Sequence, residues 1–151
     1  MKEEESKKIY YKEKGFRLVK TYEHEFVTHA KKRWLGMTLL EVYAKEFKAF
    51  SKSYYEEAIG KGRITVNDKK SSVDYKVKSI DKISHKVTRN ESPVLDLPIK
   101  VILDNDDLLV VDKPSSIPVH PCGNFKYNSL SMLLELEHNY KNIKPVHRLD
   151  R

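Results

Sequence analysis

Apolar side chains recur at helical spacing in the first half of the chain. Thr38, followed by Glu41 three residues later, forms the pattern of a capping box and predicts the start of a helix. The predicted helix ends near Lys48. Its apolar face is formed by Leu39, Tyr43 and Phe47, which stand four residues apart.

A second helix is predicted after a tight turn. Ser51 or Ser53 can cap its start, and Gly60 or Gly62 can close its end. Its apolar surface consists of Tyr54, Tyr55, Ala58 and Ile59. The pattern therefore predicts two short helices in succession.

The pattern then changes to the alternation typical of β-strands. A first strand is predicted over residues 63–66, a turn at Asn67 and Asp68, a weak strand over 73–77 and a third strand over 82–87. Residues 1–15 lack apolar periodicity and are predicted to be a disordered or loosely held tail, and residues 16–30 an extended lead-in.

A new unit is predicted after residues 90–98, where two prolines interrupt regular structure and indicate a linker. Apolar runs at 99–103 and 108–111 flank four turn-forming residues and predict a hairpin. A loop stiffened by three prolines follows at 111–123, and a helix is predicted over 128–137.

Charge divides the chain in a similar way. Residues 16–90 contain 17 basic and 9 acidic side chains, whereas residues 91–151 contain 7 and 9. The middle segment alone therefore carries a charge of +8, which predicts a basic binding module for an anionic partner, followed by a unit with another role.

Composition places few further limits on the protein. One cysteine, Cys122, cannot form an internal disulfide, so a reducing compartment is expected: cytoplasmic or nuclear, with a mitochondrial location left open. Its neighbour His120 has no second pair of metal-capable residues close in sequence, so no metal site is predicted. No apolar run is long enough to cross a membrane, and a monomer is expected.

Basic residues cluster in and after the second predicted helix. The four that we select as candidates for binding a phosphate backbone are Lys52, Lys61, Arg63 and Lys69. The alternative is a solvated face of a small α+β domain.

Residues 58–67, A-I-G-K-G-R-I-T-V-N, resemble the end of the second helix and the hairpin of the S4-type RNA-binding module. Asp68 departs from the module, which has glycine there, and makes a tight turn less certain.

The last residues contain a carboxylate flanked by arginines. Arg148 and Arg151 stand on either side of Asp150, and nearby positive charge keeps a carboxylate ionised and able to act as a nucleophile or base. The alternative is a surface salt bridge that contributes little. Sequence spacing alone favours the salt bridge, and the rest of the chain has to decide between the two.

Four motifs taken together resemble the RluA family of pseudouridine synthases. They are D-K-P at 112–114, V-H-P at 119–121, N-S-L at 128–130 and H-R-L-D at 147–150. The sequences of residues 32–36 and 114–123 are most similar to those of the eukaryotic members that act on position 32 of transfer RNA.

The resemblance implies an enzyme that isomerises uridine in RNA, with transfer RNA the expected partner and no cofactor. Asp150 matches the catalytic aspartate of the family. Arg148 is expected to contact RNA phosphate or to fill the place of the flipped base, since a guanidinium both stacks and donates paired hydrogen bonds. His147 is expected to face RNA or to support the motif.

The expected fold class is α+β. Residues 1–30 are predicted to be a tail and lead-in, residues 31–90 an S4-like module, and residues 91–151 the start of a mixed-sheet synthase domain. The family pattern continues beyond its aspartate, so the chain is expected to be a fragment that is inactive alone. The rival hypothesis is a non-catalytic RNA-binding protein that retains the S4-like module.

Overall fold

The structure is a computed structural model that describes residues 9–151. The described residues divide into two compact units, one of residues 23–89 and one that joins residues 9–22 to residues 90–151. The fold class is mixed, with helices and small antiparallel sheets in the described residues.

In chain order the strands are β1 (Tyr10–Glu13), β2 (Phe16–Val19), β3 (Tyr22–His29), β4 (Ile64–Val66), β5 (Lys69–Lys70), β6 (Lys82–Arg89), β7 (Val94–Leu95), β8 (Lys100–Asp104) and β9 (Leu109–Asp112). The helices are α1 (Leu39–Glu46), α2 (Lys52–Gly60) and α3 (Leu130–Leu136). Of the helices between residues 9 and 151, none has the length and apolar character needed to span a membrane.

The two helices of the 23–89 unit begin at side-chain caps. The Thr38 hydroxyl accepts from the Glu41 N–H at 3.1 Å, and the Glu41 carboxylate accepts from the Thr38 N–H at 2.7 Å. The predicted capping box is therefore confirmed. At the second helix Ser51, not Ser53, is the cap, because its hydroxyl accepts from the Tyr54 N–H at 3.2 Å. Both helices satisfy backbone donors that would otherwise lack a partner in their first turn.

A four-stranded sheet in the order β3-β6-β4-β5 packs with these helices. Eleven buried side chains form one core, in which the apolar faces of α1 and α2 meet β4 and β6. They are Trp34, Leu39, Val42, Tyr43, Tyr55, Ala58, Ile59, Ile64, Val66, Val77 and Ile83.

The turn between β4 and β5 is a tight two-residue turn. Asn67 and Asp68 both have positive φ, at 52° and 62°, which is the backbone of the hairpin turns that asparagine and aspartate tolerate. The Asp68 carboxylate also lies 2.7 Å from the Lys82 Nζ. The aspartate thus replaces the expected glycine without loss of the turn.

Residues 73–77 do not form the predicted weak strand. The second strand of the hairpin is β5, and the following residues bond instead to the start of α1. The Tyr75 carbonyl accepts from the Leu39 N–H at 2.8 Å, and the Val73 carbonyl accepts from the Leu40 N–H at 3.2 Å. The N–H groups of the first helical turn have no partner within the helix, and these carbonyls accept from them. If residues 73–77 paired with a neighbouring strand instead, the carbonyls would not be available to α1.

The second unit begins earlier in the chain than predicted. Strands β1 and β2 form a hairpin, and β7 pairs with β2 through Phe16 with Leu95 and Arg17 with Val94. The prediction of a loose tail is therefore wrong from Tyr10 onward, and residues 1–8 lie outside the described residues. Residues 90–98 are likewise not a plain linker, because Val94 is only 1% exposed in the core of this unit.

The core of this unit joins the hairpin to the third helix. Its buried members are Tyr10, Val19, Val94, Ile117, Leu130, Leu133 and Leu134. The hairpin predicted after residue 98 is confirmed as β8 with β9, with an irregularity between Val101 and Leu103. The helix predicted over 128–137 is confirmed as α3.

Candidate functional site

A cleft of about 920 Å³ lies within the second unit, between the proline-stiffened loop and the last residues of the chain. The loop side contributes Pro118, Val119, His120, Cys122, Gly123, Asn124 and Phe125, and the chain end contributes Arg148, Leu149, Asp150 and Arg151. Two motifs that are far apart in sequence thus face one space.

Helix α3 fixes the loop side of the cleft. The Pro118 carbonyl accepts from the Leu130 N–H at 2.9 Å, and the Val119 carbonyl accepts from the Ser131 N–H at 3.0 Å. These are donors of the first helical turn, which have no partner within the helix. The loop backbone serves as the cap of α3, so the cleft wall is held at the helix start.

A buried carboxylate supports the segment that enters α3. Glu91 accepts from the backbone N–H of Tyr127 at 2.9 Å, from that of Asn128 at 3.0 Å and from the Tyr22 hydroxyl at 2.8 Å. The Asn128 amide donates to the Ser92 carbonyl at 3.1 Å. Glu91 is not among the residues predicted from the sequence, because it lies in the predicted linker and belongs to no motif.

Lys113 is the cation of the D-K-P motif, and its amine is held by backbone carbonyls. Its Nζ donates to the carbonyls of Pro114 at 3.0 Å and Ile117 at 2.9 Å. Burial lowers the pKa of Lys113, while the negative charge of Asp150 acts in the opposite direction. Lys113 therefore contributes positive charge to the surroundings of Asp150.

The predicted residues at the chain end are exposed. Arg148 and Asp150 line the cleft, whereas the contact recorded for His147 is local, with Nδ1 3.1 Å from the Arg148 carbonyl oxygen. Between residues 9 and 151 no salt bridge joins Asp150 to either flanking arginine. The Arg151 guanidinium instead lies 4.8 Å from the centre of the Phe125 ring. The carboxylate is therefore open to the cleft rather than occupied by an arginine.

The predicted basic residues of the 23–89 unit are only partly brought together. Lys61 Nζ lies 2.7 Å from the Glu57 carboxylate, and the Arg63 guanidinium lies 3.5 Å from the same group. The hydrogen bond from Lys61 lowers the pKa of Glu57. Lys52, at the start of α2, and Lys69, in β5, are exposed and share no recorded contact with this pair in the described chain.

A cluster of aromatic side chains beside these residues was not predicted as a site. It surrounds the buried His85, whose Nε2 lies 3.3 Å from the Tyr54 hydroxyl. Its other members are Tyr43, Phe50 and Tyr55. The sequence signal was present in the aromatic residues at 50, 54 and 55, but the contribution of His85 depends on the pairing of β6.

We expect His85 to make the stability of this unit depend on pH. Burial, with a smaller effect of Arg63, lowers the pKa of His85 to about 4, below the value of about 6.5 in an unfolded chain. The unfolded state therefore takes up the proton first as pH falls, and stability is lost between pH 6.5 and 4. Between pH 7 and pH 5 the loss is about 2 kcal/mol.

Urea denaturation at the two pH values measures this loss. The chain has one tryptophan, Trp34, which is buried in the same unit, so its fluorescence reports unfolding there. His85→Gln should lose less stability than the wild type over this range. An equal pH dependence of the two proteins would contradict the assignment.

The comparison with protein families gives one match. The family model for RNA pseudouridylate synthase matches residues 107–151, which include strand β9, the proline-stiffened loop, α3 and the chain end. This is also the segment that contains every residue lining the cleft.

Curated relatives match most of the chain. The chain is 45% identical to human pseudouridylate synthase RPUSD2 over 94% of its own length. It is 42% identical to rice RNA pseudouridine synthase 7 over 91% of its own length. It is 36% identical over 89% to the mitochondrial tRNA pseudouridine(32) synthase of Saccharomyces cerevisiae. The chain spans 26%, 35% and 29% of these proteins, respectively. The chain is therefore similar over most of its length to proteins named as pseudouridine synthases, and its residues 107–151 match the family model of these enzymes.

Proposed function

We propose that the protein to which this chain belongs isomerises uridine to pseudouridine in RNA, with transfer RNA as the substrate. The observation that carries the proposal is the position of Asp150, open to a cleft inside the segment that matches the family model. The name of the yeast relative supports transfer RNA as the class of substrate.

Asp150 is the proposed catalytic residue. The reaction breaks the bond between uracil N1 and ribose C1′, turns the base and rejoins it through C5. A carboxylate can attack C1′ or stabilise the positive charge that develops there, or take a proton from the sugar. We propose that the reaction uses no cofactor, as the resemblance implies, and it involves no net change in oxidation state.

The neighbouring groups receive supporting roles. Arg148, which lines the same cleft, is proposed to bind a phosphate or to occupy the space left by the flipped base. His147 is proposed to face RNA. Flipping the base costs about a few kcal/mol and is least costly in a loop of the RNA.

The finer fold assignment is also a proposal. Residues 31–90 are proposed to be an S4-like RNA-binding module, followed by the first part of a synthase domain from residue 91. The order of α1, α2 and the β4-β5 hairpin, together with the G-R-I-T-V-N run, supports the module. Lys52, Lys61, Arg63 and Lys69 are its proposed phosphate contacts.

We further propose a monomer located in the cytoplasm or nucleus. A mitochondrial location is the alternative, because the yeast relative is named as a mitochondrial enzyme.

Release of tritium from transfer RNA labelled at C5 of uridine tests the function. The proton at C5 leaves when the base is rejoined through that carbon, so turnover appears as tritium in water. We expect release by a form extended to the length of the relatives and none by the 151-residue chain alone. An extended, folded form without turnover would contradict the enzymatic proposal and favour a non-catalytic RNA-binding protein.

Substitution of Lys61 and Arg63 by alanine tests the proposed phosphate contacts. Each phosphate contact releases counterions, so the logarithm of the association constant falls linearly with the logarithm of salt concentration. Removing two contacts should reduce the slope by about 1.4. The measurement is binding of transfer RNA to the chain at several salt concentrations.

The control for this prediction replaces Lys12 and Lys100, two exposed lysines of the other unit. Their substitution by alanine should leave the slope unchanged. If Lys61→Ala with Arg63→Ala also leaves it unchanged, these residues do not contact phosphate.

A further inference from the structure

We infer that Phe50 is a stacking platform for an unpaired base of single-stranded RNA. The inference rests on the proposed RNA-binding role of residues 31–90 and assigns one specific contact within it. Phe50 lies in the turn between α1 and α2 and is 44% exposed, although the rings that it contacts, Tyr54 and Tyr55, pack in the core of this unit.

The ring of Phe50 is held in a fixed orientation. Its centre lies 4.1 Å from that of Tyr54 with 20° between the planes, which is a stacked pair. Tyr54 is fixed in turn, since its hydroxyl lies 3.3 Å from His85 and the Arg63 guanidinium lies 5.0 Å from its ring centre. A base that stacks on Phe50 would extend an existing column, and little side-chain freedom would be lost on binding.

Helix capping explains only part of this arrangement. Phe50 immediately precedes the cap Ser51, and its edge contact with Tyr55, at 6.0 Å between centres, is that of a hydrophobic staple. A leucine would serve as a staple equally well. The stacked contact with Tyr54 requires a flat side chain, and it leaves Phe50 at the exposed end of the column.

The charges around Phe50 favour a nucleic acid over an apolar protein partner. Lys48 and Lys52 flank it at two residues on each side, and both are exposed. In the described part of the chain neither lysine has a carboxylate within salt-bridge distance. Aromatic rings bordered by exposed lysines are the pattern that binds single-stranded RNA, where bases stack and lysines contact the backbone.

Binding of an unstructured oligouridine RNA to the chain tests the platform. Phe50→Leu keeps an apolar staple and removes the flat ring, and it should weaken binding about 5- to 30-fold. The salt slope should stay unchanged, because no charge is lost. Phe50→Trp should bind at least as tightly as the wild type. Phe16→Leu is the matched control, since Phe16 is also 44% exposed but belongs to the other unit.

The outcomes separate the platform from the broader proposal. If Phe50→Leu binds RNA as the wild type does while Lys61 and Arg63 substitutions change the salt slope, the RNA-binding proposal stands and the platform is wrong. Phe50 is then a helix staple or a protein contact. If the wild type binds transfer RNA but not the oligouridine, the platform is wrong and the RNA-binding proposal stands, and if it binds neither RNA, both fail. Circular dichroism in urea verifies that each variant is folded.

Discussion

Asp150→Asn is expected to abolish pseudouridine formation by the extended form of the protein. The substitution preserves the size of the side chain but removes the negative charge that would attack or stabilise C1′. Loss of an essential nucleophile lowers kcat by several orders of magnitude, and we expect a decrease of at least about 1,000-fold in tritium release. Binding of transfer RNA should change little, because Asp150 supplies no positive charge.

The matched control is Asp107→Asn, which removes one exposed carboxylate from the loop between β8 and β9. It should retain turnover close to that of the unmodified protein. Substantial turnover by Asp150→Asn would exclude this carboxylate as the catalytic group. Lost turnover together with lost RNA binding would point to a structural role of Asp150 instead.

Arg17→Met is expected to produce the largest loss of stability. The Arg17 side chain is 7% exposed, and its guanidinium forms ion pairs with Asp96, at 2.9 Å, and with Glu137 near the end of α3. Methionine fills much of the space but leaves two partly buried carboxylates without this partner. Breaking such an ion pair from one side costs about 3 kcal/mol.

Hydrogen exchange followed by mass spectrometry measures this effect in the affected unit. Amides of β1, β2 and α3 that exchange only on unfolding should exchange about 100-fold faster in Arg17→Met. Lys12→Met is the control, because Lys12 pairs with the same Asp96 at 2.9 Å but is 60% exposed. Exposed ion pairs contribute about 1 kcal/mol or less, so its effect should be much smaller. Equal effects of the two substitutions would contradict the importance of burial at Arg17.

Local patterns in the sequence predicted much of the 23–89 unit. The Thr38 and Glu41 capping box, the serine cap and the Asn67 and Asp68 turn depend on residues a few positions apart, and each is found in the structure. Such features depend on short-range hydrogen bonds and backbone preferences, which the sequence specifies directly. The departures lie where a partner is distant in the chain.

Residues 73–77 show why pattern alone was insufficient. Their alternation suited a strand, but the carbonyls of Val73 and Tyr75 accept from the start of α1, more than thirty residues earlier. Val94 and Arg17 were also not predicted from the pattern. Val94 lies in a two-residue strand and Arg17 forms buried ion pairs, and neither feature changes the periodicity of apolar residues. Proline at 93 and 98 suggested a linker, and the pairing of β7 with β2 overrode it.

The amino-acid sequence specifies the chemical groups: the motifs of the proline-stiffened loop and of the chain end, with Asp150 as the candidate carboxylate, and the basic character of residues 16–90. Which of these groups meet depends on the tertiary structure. Hydrogen bonds from the start of α3 hold the loop that forms one wall of the cleft, and Asp150 lines the same cleft. In the other unit, Phe50 stacks on Tyr54, whose hydroxyl contacts His85 of a distant strand. Both arrangements require contacts between remote residues, which follow from burial of the whole unit rather than from local sequence.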